Sequence, residues 1–299
     1  MRILVTGGAG FLGAWIVRRL AAGGHAVRIF DLTEKRGLIA AIAGEAAAQA
    51  CEWRIGDIVS ADDVRAAAEG CDAIIHLAGV LTLACKADPV RGAQINLIGT
   101  LNIFEAARAC GIDRLIYTST AGVYGPADGH TPVPVSHYGA FKLACEGCAR
   151  AYWEDHRLAS SGFRPYVVYG PGRDSGLSAG PSLACRAAAL GESYVFPYEG
   201  AAGLVYVEDV AAAYEAALLR KPDGAPVFNL VGTLATPQDV IDELRRLRPD
   251  ADIRRGGELM PSAPDIAEGS VREILPGLPS TSLREGIERT FAYYRDGGL

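Results

Sequence analysis

The chain has 299 residues, of which 49% are hydrophobic and 21% are charged, and its formal net charge is −6. This composition is typical of a soluble globular protein with one large domain or two small ones. The negative charge argues against nucleic acid or an anionic membrane surface as the main partner. No apolar run approaches the roughly eighteen residues that a membrane span needs, and no signal-peptide layout opens the chain, so we expect a cytoplasmic protein.

The first feature along the chain is a short apolar run that leads into a glycine-rich turn. The run covers residues 3–5, the turn contains Gly7, Gly10 and Gly13, and an apolar helical pattern opens at Phe11. Strand, glycine turn and helix is the layout that binds a dinucleotide pyrophosphate on the free N–H groups of a helix N-terminus. The alternative interpretation, a mere tight turn, fits the flanking pattern less well.

A second strand pattern, at residues 26–30, ends at Asp31. An acidic residue about twenty positions after the glycine turn can accept hydrogen bonds from the adenosine ribose hydroxyls. It would repel a 2′-phosphate, so Asp31 favours NAD over NADP. Lys35 and Arg36 lie close by in the sequence and could weaken that preference. The alternative interpretation is that Asp31 is a plain turn residue at the end of the strand.

Helical and strand patterns then alternate through the first half of the chain. Helices are predicted at 40–50, 62–69, 90–110 and 138–156, and strands at 52–55, 73–77 and 114–118. This alternation predicts an α/β fold with a doubly wound parallel sheet, covered by helices on both faces.

The second half alternates less regularly. Strands are predicted at 162–169, 204–207 and 227–231, helices at 209–220, 237–247 and 283–294, and a Gly/Pro-rich stretch at 256–279. We therefore expect a dinucleotide-binding domain over 1–165, with 204–232 returning to it. Residues 166–203 and 233–299 would form a smaller C-terminal substrate-binding α/β lobe.

Tyr138 and Lys142 stand four residues apart, on one face of the helix that follows the fifth strand. A free tyrosine titrates near ~10, so a nearby ammonium group would help it to act as a base. Thr120 lies just beyond the fifth strand, at the carboxyl edge where ligands of such sheets bind. Its hydroxyl can hold the substrate oxygen for proton exchange with Tyr138. A chance Tyr–Lys pair is the alternative, and the neighbouring dinucleotide turn makes it the weaker one.

Several stretches carry a family resemblance. In order they are TGGAGFLG at 6–13, GDI at 56–58, HLAG at 76–79, NLIGTLN at 96–102, TSTAGVYG at 118–125, YGAFK at 138–142, RPYVVYGPG at 164–172 and VYVEDVA at 205–211. Over nearly its whole length the chain resembles the extended short-chain dehydrogenase/reductase family, the NAD-dependent sugar epimerases, dehydratases and reductases. The resemblance implies a Rossmann-type fold and an NAD cofactor.

The same resemblance implies roles for individual residues. Tyr138 would be the acid/base, Lys142 its activator and a ribose contact, and Thr120 its hydroxyl partner. His76 would be a packed residue at a strand end rather than a catalyst. The expected cofactor site comprises Gly7, Gly10, Phe11, Leu12, Gly13, Asp31, Asp57 (near the adenine), Ile58, Leu77, Ala78, Gly79, Asn96, Thr118, Tyr138 and Lys142. The expected substrate site comprises Val80, Thr120, Ala121, Tyr166, Val167 and Arg173, and no metal is expected.

Two departures from the family pattern concern the substrate. Nucleotide-sugar members usually carry an Asn where this chain has Val167, and an Arg where it has Ala202. Both groups normally meet a diphosphate, which needs such donors. Arg173 could still hold an anion, although a solvated loop arginine is equally consistent with the sequence.

Three functions remain open at this stage. The first, and the leading hypothesis, is an NAD-dependent oxidoreductase that transfers hydride between the cofactor and a small alcohol, carbonyl or sugar-derived substrate. The second is an NAD-dependent sugar or nucleotide-sugar epimerase or dehydratase. The third is a non-catalytic dinucleotide sensor, which would have no need of Tyr138, Lys142 and Thr120.

The helices at 90–110 and 138–156 also predict a homodimer. Their outer faces are expected to include Leu101, Phe104, Phe141, Tyr152 and Trp153. In relatives, such helices pair into a four-helix interface that uses the same patch on both subunits. The alternative is that these side chains pack inward on the sheet.

The seven cysteines do not suggest a disulfide framework in a chain of this length. Cys145 and Cys148 form a CxxC inside a helical pattern, and we interpret them as small helix residues rather than as a redox or metal pair.

Overall fold

A seven-stranded parallel sheet organises the computed structural model, which describes residues 1–260, 263 and 265–299. Neighbouring strands pair in parallel throughout. In spatial order they are β11 (Val227–Leu230), β6 (Ser160–Pro165), β5 (Leu115–Thr118), β4 (Ala73–His76), β1 (Arg2–Thr6), β2 (Ala26–Asp31) and β3 (Glu52–Ile55). The strand order reverses between β1 and β4, and the crevice outside their carboxyl ends is where ligands of such sheets bind. The fold is therefore of the Rossmann type.

Helices cover both faces of this sheet. Successive side chains of β1 point to opposite faces, so Ile3 and Val5 enter one apolar core while Leu4 enters the other. The helices of the main sheet and of the lobe described below are, in chain order, α1 (Phe11–Ala22), α2 (Gly37–Ala43), α3 (Glu45–Ala50), α4 (Ala61–Ala68), α5 (Thr82–Ala87), α6 (Pro89–Ala93), α7 (Gly99–Ala109), α8 (His137–His156), α9 (Gly180–Leu190), α10 (Val207–Arg220), α11 (Pro237–Leu247), α12 (Val271–Ile274) and α13 (Leu283–Arg295). Helices α1 and α10 pack on one face, and α4 and α7 on the other. No helix in the described ranges is long and apolar enough to cross a bilayer.

A smaller lobe follows the main sheet and has its own apolar core. Its three-stranded sheet has β10 at the centre, parallel to β7 and antiparallel to β12. The strands are β7 (Val167–Tyr169), β10 (Ala202–Tyr206) and β12 (Thr233–Ala235), with the short parallel pairs β8 (Tyr194–Val195) with β13 (Ile253–Arg254) and β9 (Tyr198–Glu199) with β14 (Glu258–Leu259). Helices α9, α11 and α13 pack against this core.

The structure differs from the predicted elements at three places. The helix expected at 40–50 is interrupted at Gly44, whose φ of +90° is a conformation that side chains disfavour. The helix expected at 90–110 contains a π-helical turn at Gln94–Ile98, between α6 and α7. The strand expected at 162–169 divides at Tyr166 into β6 and β7, which belong to different sheets.

The strand expected at 204–207 lies in the lobe as β10, and not in the main sheet. Of the segment expected to return to the dinucleotide-binding domain, α10 and β11 do so. An alternating or apolar run predicts that a segment is a strand, but it carries no information on which sheet the strand joins.

Candidate active site

The glycine turn after β1 forms a cradle that side chains would fill. Gly7 has a φ of +69°, and a Cβ on it would lie 2.8 Å from the Ala78 nitrogen. A Cβ on Gly13 would lie 2.6 Å from the Gly8 carbonyl oxygen. Gly10 precedes α1 and gives no side-chain cap, so the first N–H groups of the helix point outward at its positive end. This geometry fits a dinucleotide pyrophosphate, and Phe11, Leu12 and Gly13 would supply the N–H groups.

Asp31 closes β2 beside the glycine turn. Its carboxylate accepts hydrogen bonds from the Ala9 N–H at 3.2 Å and the Leu32 N–H at 2.8 Å. The side chain is thus held in place at the edge of the cradle, as a ribose-binding carboxylate needs to be.

We expect NAD to bind more tightly than NADP, because a 2′-phosphate would face the Asp31 carboxylate. Like charges so placed cost on the order of 1–3 kcal/mol. Titration of both cofactors against the wild type and Asp31→Asn tests this, since the variant should lose much of the discrimination. Glu34→Gln is the matched control, because Glu34 pairs with Arg36 at 2.6 Å. Tighter binding of NADP by the wild type would contradict the expectation.

Asp57 and Ile58 follow β3. Asp57 accepts from the Val59 N–H at 3.0 Å and from the Arg91 guanidinium at 2.9 Å. These hydrogen bonds lower the pKa of the Asp57 carboxyl. Ile58 is buried, and a Cβ on Gly99 would meet its side chain at 2.8 Å. The predicted contact of Asp57 with the adenine remains a prediction.

The chain that leaves β4 is fixed by Thr6 and Asn96. The Leu77 and Ala78 N–H groups donate to the Thr6 carbonyl and hydroxyl at 3.1 and 3.2 Å. Asn96 is fully buried, donates to the Val80 carbonyl at 3.0 Å and accepts from its N–H at 3.2 Å. This side chain therefore holds the loop along which the cofactor is expected to lie.

His76 is a packed residue at the end of β4, as the resemblance implied. Its two ring nitrogens hydrogen-bond the hydroxyls of Thr6 at 2.7 Å and Thr100 at 3.0 Å. Burial, with a contribution from the Lys142 charge, lowers the pKa of His76 to about 3. The ring is therefore neutral at physiological pH and stabilises the sheet edge.

The predicted catalytic side chains meet at the carboxyl edge of β5. Helix α8 begins at His137, where the Ser136 hydroxyl caps it by accepting from the Gly139 N–H at 3.1 Å. Lys142 is buried, and its Nζ donates to the Thr118 carbonyl at 2.8 Å and lies 5.9 Å from the centre of the Tyr138 ring. The Thr120 hydroxyl accepts from the Gly122 N–H at 3.1 Å, and the Thr120 side chain lies near enough to lower the pKa of Tyr138.

Burial and nearby charges set the protonation states of Tyr138 and Lys142. Burial raises the pKa of Tyr138 to about 12, and the Arg173 charge and the Thr120 side chain oppose that rise. Burial lowers the pKa of Lys142. Tyr138 is therefore protonated at neutral pH and able to donate a proton, and positive charge nearby helps it to accept one.

A buried polar network behind the site escaped the sequence analysis. Glu146 lies one turn after Lys142 and accepts from the Ser119 hydroxyl and from two nitrogens of Arg164, at 2.7 and 2.5 Å. Arg164 also donates to the Tyr124 hydroxyl at 2.5 Å. The network thus holds Ser119 and Tyr124, which lie at the two ends of the segment that carries Thr120. In the sequence, the feature that could have indicated this network is Glu146, a carboxylate on the apolar side of α8.

The predicted substrate residues differ in how far their side chains are exposed, and Tyr166 packs against the apolar clusters of both Ala121 and Val167. Val167 and Ala121 are 2% and 3% exposed and pack in apolar clusters, so their predicted contact with a substrate remains a prediction. Ala202 is fully buried. Tyr166 is half-buried and donates to the Ala263 carbonyl at 2.6 Å. Arg173 faces the glycine turn, with its guanidinium carbon 5.7 Å from the centre of the Phe11 ring.

Known proteins resemble this chain over its full length. The UDP-glucose 4-epimerase of Mycolicibacterium smegmatis is 32% identical over 99% of both chains. The structure of the Thermotoga maritima UDP-glucose 4-epimerase with UDP-glucose superposes with a TM-score of 0.86, at 25% identity over 99% of both chains. The structure of the Thermus thermophilus UDP-glucose 4-epimerase in complex with NAD superposes with a TM-score of 0.83, at 26% identity over 100% of both chains.

The model of the NAD dependent epimerase/dehydratase family matches residues 3–230. That range contains the glycine cradle, Asp31 and the group formed by Thr120, Tyr138 and Lys142. The chain therefore belongs to the NAD-dependent epimerase/dehydratase family of extended short-chain dehydrogenase/reductases, and its cofactor is NAD.

Proposed function

We propose that the protein is an epimerase that oxidises one hydroxyl-bearing carbon of a sugar-type substrate and reduces it again from the other face. The observation that supports this most is the joint presence of Thr120, Tyr138 and Lys142 at the edge of β5 in a chain that matches UDP-glucose 4-epimerases from end to end. The sequence alone favoured a net oxidoreductase, and the comparisons favour the epimerase.

The chain's own residues would move the protons. Tyr138 would take the hydroxyl proton as the substrate carbon is oxidised to a carbonyl, and would return it on reduction. Thr120 would hold the substrate oxygen against Tyr138, and Lys142, fixed on the Thr118 carbonyl, would favour the phenolate. A bound nicotinamide supplies the carbon that takes up and returns the hydride.

A net dehydrogenase or reductase for a small substrate is the second candidate. Val167 and Ala202 are apolar and buried at the two positions where nucleotide-sugar members of the family usually present an amide and a guanidinium. Each lost polar contact should cost on the order of 1–3 kcal/mol in diphosphate binding. This observation favours a smaller substrate and leaves the type of reaction open.

The test is turnover with a limiting amount of NAD. The protein is incubated with UDP-glucose, UDP-galactose and free sugars at NAD concentrations well below substrate, and products are separated by chromatography. An epimerase forms many equivalents of the epimer per NAD while the NADH absorbance stays low. A dehydrogenase would instead form no more than one equivalent of product per NAD, and all of the NAD would be converted to NADH.

We also propose a homodimer formed by α8 and by α7 with the π-helical turn before it. The expected patch is smaller than the sequence suggested, because Phe104 is fully buried and stacks on Tyr152 at 4.8 Å between ring centres. Phe141 and Trp153 are only partly buried, and Ile98 is 42% exposed. Light scattering at micromolar concentration should give twice the mass of the chain. The variant Ile98→Asp should give a lower mass, because a charge would then lie in the interface. A wild-type monomer would end the proposal.

A further inference from the structure

We propose that Tyr214, on α10, is a positioning residue for the acid/base pair, because its hydroxyl fixes Thr118 and the Thr118 carbonyl anchors Lys142. The inference rests on the proposed function only in assigning Lys142 to the pair with Tyr138. It holds for an epimerase and for a net dehydrogenase alike, because both need the same proton transfer.

The hydroxyl of Thr118 joins two hydrogen bonds whose direction is defined. It donates its single proton to the His76 carbonyl at 3.0 Å, since a carbonyl oxygen can only accept. The Tyr214 hydroxyl, 2.9 Å from the same oxygen, must therefore be the donor in their contact. Burial raises the pKa of Tyr214, so this hydroxyl keeps its proton at neutral pH. The two hydroxyls and the His76 carbonyl thus form one directed chain of hydrogen bonds, in which each bond strengthens the next.

Tyr214 also contacts the strand beside Thr118. Phe163 of β6 lies opposite Thr118 of β5, and the Phe163 carbonyl accepts from the Ser119 N–H at 2.6 Å. The fully buried Tyr214 ring stacks on the Phe163 ring with 4.7 Å between the centres. Tyr214 therefore holds the carboxyl end of β5 by ring stacking and by its hydroxyl. A phenylalanine in its place would keep the stacking and lose the hydrogen bond.

The helix that carries Tyr214 is fixed at its position. Helix α10 begins at Val207, directly after β10 of the lobe ends at Tyr206. Glu215, the residue after Tyr214, forms an ion pair with Arg19 of α1 at 2.6 Å. Because α1 begins at the glycine cradle, Tyr214 is held relative to the cofactor cradle on one side and to the lobe on the other.

The hydroxyl of Tyr214 affects the ammonium group of Lys142 through Thr118. The Lys142 Nζ donates to the Thr118 carbonyl at 2.8 Å, and burial lowers the pKa of Lys142. A buried ammonium is sensitive to displacement of its acceptor, because a buried charged group without a partner is costly. Without the Tyr214 hydroxyl, Thr118 loses a hydrogen bond of its side chain, and the carbonyl that receives Lys142 is held less firmly. Lys142 would then be less well placed for Tyr138 and for the cofactor ribose.

The experiment compares Tyr214→Phe with the wild type in NAD affinity, by calorimetry, and in kcat, from steady-state rates. Both quantities should fall by roughly 3- to 10-fold, the size expected for the loss of about one net hydrogen bond. Tyr169→Phe is the matched control and should leave both quantities unchanged. Tyr169 is also fully buried, and its hydroxyl has no hydrogen-bond partner among the described residues.

A double-mutant cycle separates positioning from a general loss of stability. In the Lys142→Met background, Tyr214→Phe should lower neither NAD affinity nor kcat any further, because the group that Tyr214 positions is absent. A merely structural role would lower both quantities by the same factor in either background.

The proposal is wrong if Tyr214→Phe stays within about twofold of the wild type, or if its losses persist in the Lys142→Met background. It is also wrong if Tyr169→Phe loses as much. The calorimetric cycle needs no turnover. The expected cycle in NAD affinity, found in a protein that does not epimerise its substrate, would therefore count against the proposed function alone.

Discussion

Replacement of Tyr138 by phenylalanine should lower kcat by roughly 10²–10⁴-fold while NAD still binds. The substitution removes the proton-transfer hydroxyl and keeps the ring 5.9 Å from the Lys142 ammonium. Steady-state rates measure the loss, and fluorescence titration measures the cofactor affinity. Tyr293→Phe is the matched control, because the Tyr293 hydroxyl makes only a 3.4 Å contact with the Ala41 carbonyl.

The pH profile adds a second measurement. Because burial raises the pKa of Tyr138 to about 12, the phenolate fraction grows as pH rises through the neutral range. The oxidation rate of the wild type should therefore increase with pH, and the residual rate of Tyr138→Phe should lose this dependence. Full activity in the variant would exclude Tyr138 from the chemistry.

Replacement of Glu146 by alanine should lower the free energy of unfolding by about 3–5 kcal/mol. Arg164 would then be left largely buried without its carboxylate, and the Ser119 hydroxyl without its acceptor. Urea unfolding followed by circular dichroism gives the difference in free energy. Glu146→Gln, which keeps an acceptor oxygen, should lose less.

A second glutamate on α8 provides the comparison. Glu154 is exposed and pairs with Arg157 at 3.8 Å, so Glu154→Ala should change stability by less than about 1 kcal/mol. Equal small losses in both alanine variants would mean that water screens the Glu146–Arg164 pair as it does the exposed one.

Local sequence patterns were sufficient for the dinucleotide half of the protein. Alternating strands and helices predicted the parallel sheet, because each pattern reports a backbone period within one segment. The glycine turn and Asp31 could also be predicted from the sequence, since the cradle is built from residues close together in the chain. The pair Tyr138 and Lys142 was found because four residues make one turn of a helix.

Contacts between distant segments were decided only by the tertiary structure. The division of the run at 162–169 between two sheets depends on β10 and β11, which lie far along the chain. The pairing of Glu146 with Arg164 requires α8 to pack beside β6, and the position of Arg173 over Phe11 requires the lobe to fold back on α1. No period within a segment encodes such contacts, because they follow from the order of strands and the packing of helices. The sequence by itself therefore determined the sheet, the glycine turn and the helical spacing of Tyr138 and Lys142, whereas the packing of the lobe decided which charged and apolar side chains come together around them.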